Sequence, residues 1–352
     1  MSDAIPVSVE NLTALVVGLL TAAGVPARAA GIVAEGLVAA DIEDQASHGV
    51  TLLTMYLDRL AGGSVSPTAE GRVVSDTGSA IVIDAENALG QVTSERAVAL
   101  VIERARAHGL ASVAVRNGFH FGTAGRWARK IADAGCVGVV LSNTRPLLPA
   151  PGGAERVVGN NPIAIAVPAE GGAIVADLAL SAGAMGKIRL AEAIGEKIPE
   201  GWASDADGVP TTDPTTAIRG MLLPAAGPKG FALAAMIDLL AGGLSSGAIG
   251  EEVRPLYGDP KLPYRCAHLF LAIDVAQFRP LDEFAAAAER FAQRIRGSRR
   301  APNVTDIRMP GDRAREAEQR NKTTCPIART TIDALLARAR ALGVTPPSEF
   351  IT

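Results

Sequence analysis

Four histidines occur in the 352 residues, and two of them lie in segments suited to chemistry. His48 sits in DIEDQASHGV (Asp41 to Val50), beside three acids and Ser47, within a long run of Ala, Val and Leu. An imidazole titrates near neutral pH, so this one could donate a proton, bind a metal or simply end a helix. His120 sits in RNGFHFGTAG (Arg116 to Gly125), between two Phe residues and ahead of a Gly-bounded turn that opens a helix. Open N–H groups at a helix start suit an anion or an amide. A turn histidine packed against aromatic rings is the competing reading. SNTRPLLPAPGGAERVVGNNP (Ser142 to Pro162) shows no periodicity and carries three Asn, two Arg and four Pro. It is compatible with a pocket wall, but taken alone it reads as a surface loop. In GPKGFALAAMIDLL, Lys229 and free amides meet at the start of an apolar helix. That is the pattern of a diphosphate site, or of a solvated turn lysine.

Other chemistries fit poorly. There is no G-x-G-x-x-G, so a nicotinamide cofactor would not be held by a Rossmann turn. There is no G-x-S-x-G elbow, and Ser47 beside His48 is not by itself a dyad. No H-x-x-x-H, H-E-x-x-H or C-x-x-C occurs, which argues against a metal. His108 and His268 read as structural. DRAREAEQR (Asp312 to Arg320) reads as a solvated charged helix face. Three scattered cysteines read as reduced thiols in a cytoplasmic protein. No signal peptide and no apolar run of membrane-spanning length is visible. A net charge of −3 gives no reason to expect nucleic acid or an anionic membrane as partner.

These residues need a frame. Hydrophobic residues make up 48% of the chain, enough for a sizeable core. Helical spacing predicts Val9 to Ala23, Pro26 to about Ile42 and Leu52 to Leu60, with Ser8 as a cap and Gly24 as a stop. After residue 74 the texture changes. Strands are predicted at Ala80–Asp84, Ser112–Arg116, Val137–Ser142, Asn161–Val167, Ala173–Leu178 and His268–Asp274. Helices are predicted at Gln91–His108, Gly125–Ala134, Gly230–Leu244, Leu281–Ser298 and Thr331–Leu342. The expectation is an α+β fold: a central mixed-sheet unit (75–314), and a helical unit built from both chain ends (1–74 with 315–352). The loop from Glu251 to Arg265, with three prolines, reads as irregular.

Taken in order, a set of stretches resembles the malate/L-lactate dehydrogenase-like family of NAD(P)-dependent oxidoreductases. Its members include ureidoglycolate dehydrogenase, sulfolactate dehydrogenase and Δ1-piperideine-2-carboxylate reductase. The stretches are SHGV…Y (Ser47 to Tyr56), HFGTAG (His120 to Gly125), SNT-P (Ser142 to Pro146), GNNP (Gly159 to Pro162), AD-A (Ala176 to Ala179), GKI (Gly186 to Ile188), IPEGWASDADGVPTTDP (Ile198 to Pro214) and KGFALA (Lys229 to Ala234). The resemblance implies a non-Rossmann fold binding NAD(P)H, a small carboxylate substrate and a homodimer. It implies that His48 is a general acid toward a carbonyl or imine, with Asp177 or Asp44 orienting the ring. Ser47, Arg145, His120 and Asn160 would meet the substrate. His120, Phe121, Gly122, Ser142, Asn143 and Thr144 would line the cofactor cleft. So would Asp177, Leu178, Ala179 and Lys187, with Pro228, Lys229, Gly311 and Asp312 toward the phosphates or adenosine.

The sequence departs from the family pattern at two places. S-H-G-x-x-R has Leu52 where the carboxylate-gripping Arg stands, and Arg145 is the candidate replacement. Pro228 takes the place of a polar residue before Lys-Gly and removes a backbone donor. The activity implied is reduction of a small 2-oxo acid, or the reverse. A cyclic-imine carboxylate reductase is the alternative, and a non-catalytic cofactor-binding homologue the third reading.

Overall fold

The computed structural model describes residues 4–350. Its helices are α1 (Val9–Ala22), α2 (Ala27–Ile42), α3 (Leu53–Ala61), α4 (Gly90–His108), α5 (Ala124–Asp133), α6 (Met185–Ile194), α7 (Pro214–Arg219), α8 (Pro228–Asp238), α9 (Leu281–Arg296), α10 (Asp312–Arg320) and α11 (Arg329–Leu342). Ser8 caps α1, its hydroxyl accepting from the Asn11 N–H at 3.3 Å. Pro26 precedes α2, where a missing N–H costs nothing.

Seven strands form the central sheet in the order Arg72–Asp76, Ala80–Asp84, Leu110–Gly118, Cys266–Asp274, Cys136–Ser142, Ile163–Val167, Ile174–Leu178. Only Ala80–Asp84 and Leu110–Gly118 run parallel, with α4 as the crossover between them. The other neighbours are antiparallel. Alternation divides each inner strand between two cores. Val113, Val140 and Phe270 face Val101 of α4 and Trp127 and Ile131 of α5. Ala114, Leu141 and Leu269 face Ile188 of α6 and Ile237 of α8. The central strands are thus covered on both faces, which is why they read as nearly continuous apolar runs.

A third core joins α1, α2 and α3 to α11. The chain ends meet there, Ala4–Ser8 pairing antiparallel with Thr324–Ala328. This two-stranded ribbon is absent from the sequence-based reading, because Pro6 and Pro326 lie opposite one another in it and proline speaks against strand. The expected helix to Leu244 also changes character, α8 passing at Asp238 into a π-helical turn, Leu239–Gly243. The wider turn meets a packed neighbour. A Cβ on Gly242 would sit 2.4 Å from the Ala248 carbonyl and 3.0 Å from Asn143 Nδ2.

Candidate active site

The α2 helix ends at Ile42, and the chain returns through a 3-10 turn, Ala46–His48, into α3. One buried carboxylate holds that return. Asp41 Oδ2 accepts the Val50 N–H at 2.7 Å, and the carboxyl lies so close beneath Gly49 that a Cβ there would meet Oδ1 at 2.1 Å. With one hydrogen bond and no cation beside it, burial pushes the Asp41 carboxyl up to about 7. His48 emerges at the end of the turn. Its Nδ1 lies 3.0 Å from the hydroxyl of exposed Ser47. Burial lowers its pKa below the usual 6.5.

The second histidine arrives from the far side, just past the strand Leu110–Gly118. The His48 and His120 rings stack with centroids 5.6 Å apart and planes 27° from parallel. His120 Nδ1 lies 2.7 Å from the Tyr56 hydroxyl, and Gln91 Nε2 donates to that hydroxyl at 2.9 Å. Burial, then the nearby His48 and His268, hold the His120 pKa well below 6.5. Two imidazoles meet here, and among the described residues no carboxylate is bonded to either. Burial favours the neutral form of both rings, His120 the more strongly.

The acids expected to orient His48 are engaged elsewhere. Asp44 accepts from Arg320 at 2.5 Å and from Asn321 at 3.0 Å. Asp177 accepts the Gly125 N–H at the start of α5 at 2.8 Å. Ser47 is the side chain bonded to the His48 ring.

The Ser142–Pro162 segment is braced from within. Asn143 donates to Asp238 Oδ1 and the Ala248 carbonyl, and accepts from the Ala267 N–H at 2.7 Å. The Ser142 hydroxyl lies 2.9 Å from His268 Nδ1. Both side chains, expected to line the cleft, are buried and spent on the scaffold. Asn161 does similar work, its Oδ1 accepting the Thr144 N–H at 2.8 Å. Half-buried Asn160 accepts from the Thr144 hydroxyl at 3.0 Å. Phe121 is also core, stacked on His268 with centroids 4.1 Å apart. His268 itself is buried, its pKa lowered to about 4.

Arg145 is half-buried and has no hydrogen-bonded or ion-paired partner among the described residues. Burial, then the like charges of Arg156 and Arg189, press on its guanidinium, and Tyr264 lies within electrostatic reach. Tyr264 packs edge-on against Phe119, the residue before His120, with centroids 6.2 Å apart. Arg145 and the histidine pair are thus related through Tyr264 and Phe119, the first by its electrostatic influence on the guanidinium and the second by its place in the chain before His120. Leu52, at the family's arginine position, is 3% exposed in the helical core and offers the site nothing.

Glu43, Asp44 and Gln45, just before the turn that carries His48, line a cavity of about 480 Å³ with Asp177, Gly311 and Arg313 among others. Asp177 stands at its open wall, yet its surroundings desolvate the carboxyl enough to raise its pKa. Gly311 adopts φ 88°, and a Cβ there would crowd the Val175 carbonyl at 3.0 Å. The glycine and the polar walls suit close approach of a sugar or phosphate. Asp312, by contrast, is held by Arg296 through two bonds of 2.9 and 2.8 Å and accepts the Met309 N–H. Leu178 and Ala179 lie exposed at the end of the outermost strand. Lys187 is exposed with its ammonium over the Trp202 ring. Pro228 and Lys229 open α8, and Pro228 lines a separate cavity of about 510 Å³ with Pro149–Ala154.

Asp41, Tyr56, Gln91 and Asn161 were not among the side chains expected at the site. Asp41 had a visible signal, a lone carboxylate on the buried side of an Ala- and Val-rich helix. Gln91 had none, because its partner Tyr56 is 35 residues away.

Comparison with known proteins gives the family and the fold. A family model described as malate/L-lactate dehydrogenase matches residues 7–336. Malate dehydrogenase of Pyrococcus abyssi is 36% identical over 344 residues, covering 95% of this chain and 94% of that one. The solved sulfolactate dehydrogenase of Methanocaldococcus jannaschii superposes with TM-score 0.93 at 32% identity, covering 99% of this chain and 100% of that one. The solved Δ1-piperideine-2-carboxylate reductase of Pseudomonas syringae superposes with TM-score 0.86 at 29% identity, covering 95% and 100%. Relatives are named for NAD(+) and for NADP(+).

Proposed function

Because the chain belongs to the malate/L-lactate dehydrogenase family of NAD(P)-dependent 2-hydroxyacid dehydrogenases, we propose that it interconverts a small 2-oxo acid and its 2-hydroxy acid, with His48 moving the proton. The observation that carries this reading is the stacked His48–His120 pair, 5.6 Å apart and bonded to no carboxylate among the described residues. When bound, NAD(P)H supplies a hydride from its nicotinamide ring. The chain's own residues do the rest. His48, as imidazolium, gives its proton to the oxygen that gains the hydride's charge, and takes it back in oxidation. His120, neutral, hydrogen-bonds the same region. Arg145 pairs with the substrate carboxylate, replacing the arginine that Leu52 displaces. Asp177, Gly311 and the Glu43–Gln45 wall receive the adenosine side of the cofactor.

Two further points accompany this reading. Leu233, Met236, Leu239, Leu240 and Leu244 are exposed along α8 and its π-helical extension, an apolar stripe that suits a second copy of the chain. Cys136, Cys266 and Cys325 are free and buried, in keeping with a reducing compartment such as the cytoplasm. Among the described residues no helix is long and apolar enough to cross a membrane.

The likeness to a piperideine-carboxylate reductase keeps a second substrate class in view, because the same acid and cation serve a C=N acceptor. A panel of 2-oxo acids and cyclic-imine carboxylates, followed by NADH and NADPH absorbance, separates the two. Oxo-acid turnover is expected. Turnover of imines alone moves the assignment to the alternative. No turnover with either, despite cofactor binding, rejects both in favour of a binding protein.

A further inference from the structure

Every polar atom around His120 bears on which ring nitrogen carries its proton. Nδ1 faces two groups, the Tyr56 hydroxyl at 2.7 Å and the Gly122 N–H at 3.4 Å. A backbone N–H can only donate, so Nδ1 must be the bare, accepting nitrogen. The Tyr56 hydroxyl in turn receives a hydrogen from Gln91 Nε2 at 2.9 Å. Its one hydrogen is then free to point at His120, either to Nδ1 or, at 3.1 Å, to the carbonyl. Gln91 and Tyr56 are both fully buried, so water does not compete for these bonds. Burial also drives the Tyr56 phenol far above its usual range, and it stays an O–H donor at any working pH. The remaining ring atom, Nε2, has no protein partner among the described residues.

We infer that Tyr56, oriented by Gln91, is a positioning residue that fixes His120 as the neutral Nε2–H tautomer, leaving that N–H as a hydrogen-bond donor for the substrate's reacting carbonyl or imine. The division of labour follows. His120 offers a fixed donor, and His48 offers the proton. A ring with the opposite tautomer would present a lone pair and repel a carbonyl oxygen. The catalytic consequence rests on the function proposed above, whereas the tautomer itself does not.

The test uses the whole enzyme labelled with 15N at its four histidine rings, with His120→Gln to assign the His120 signals. Free enzyme should show His120 as the neutral Nε2–H tautomer from pH 6.5 to 9. Tyr56→Phe keeps the buried ring and should keep the melting temperature within a few degrees, while His120 loses its single-tautomer pattern. In that variant kcat should fall about tenfold or more with KM near the parent value, as expected when a histidine tautomer is released. Gln91→Met should move the same signals in the same direction. An imidazolium or an Nδ1–H ring in the parent overturns the inference. So does a Tyr56→Phe enzyme with unchanged tautomer and unchanged kcat. Failure of the function is read separately: His120→Gln turning over at the parent rate removes His120 from the reaction whatever its tautomer.

Discussion

Replacing Asp41 by Asn should make the fold more stable at pH 8 while changing it little at pH 4. The carboxyl is 4% exposed, accepts a single hydrogen bond from Val50 and has no cation beside it. Burial raises its pKa from 3.8 to about 7. The folded chain therefore holds this proton more tightly than the unfolded one. Between pH 4 and pH 7 the unfolded chain releases it and the folded chain does not, so stability falls as pH rises through that window and is flat beyond it. At about 1.36 kcal/mol per pH unit, the span from 3.8 to about 7 corresponds to a loss of about 4 kcal/mol. Asn keeps an oxygen for the Val50 N–H and has no proton to lose. Its own packing differences shift the whole curve without tilting it. Urea unfolding of both proteins at pH 5, 6, 7 and 8 isolates the tilt. The advantage of Asp41→Asn should grow steadily to pH 7 and then level. A difference that stays constant across the series refutes the argument that this carboxylate is buried without compensation.

Three further outcomes follow from the same geometry. Arg145→Ala should raise KM for the acid about tenfold or more while changing kcat less, since it removes a charge-assisted contact to a spectator carboxylate; kinetics like the parent's would remove Arg145 from the site. Burial holds the His48 pKa below 6.5, and reduction draws on its imidazolium. Reductive kcat/KM should therefore fall about tenfold per pH unit above that pKa, and oxidative kcat/KM should rise to a plateau; profiles flat from pH 5 to 9 would contradict this. Gly49→Ala would drive a methyl to 2.1 Å from the Asp41 carboxyl, and should lower both melting temperature and kcat as the turn carrying His48 shifts. An unchanged kcat would show that the turn does not aim the ring.

The sheet was legible because its inner strands carry two-sided apolar runs, α1 because a cap, a stop and a helical period coincide at its ends, and α2 from its period and the proline at its start. The ribbon joining the chain ends was not, since prolines disguised both strands and their partners lie more than 300 residues apart. At the site, residue type was readable and direction was not. His48 and His120 stood out as rare imidazoles beside glycine. Whether Asn143 faced the cleft or the scaffold depended on Asp238, Ala248 and Ala267, about 95 to 125 residues away. The Asp44 and Asp177 carboxylates looked like partners for His48 from nearness and motif alone. In the fold Arg320 and the start of α5 claim them. Leu52 made a relocated carboxylate clamp thinkable, and the proposal for Arg145 rests on the burial of Leu52 and on a guanidinium without a partner among the described residues.

The proposed reaction turns on His48 as the proton carrier. Its most direct test is kcat and cofactor affinity of His48→Ala side by side, the first from NAD(P)H oxidation with the preferred oxo acid and the second from nicotinamide fluorescence. The expected result is a fall in kcat of about 100-fold or more with cofactor affinity near the parent value. A variant that turns over within a few-fold of the parent would contradict it.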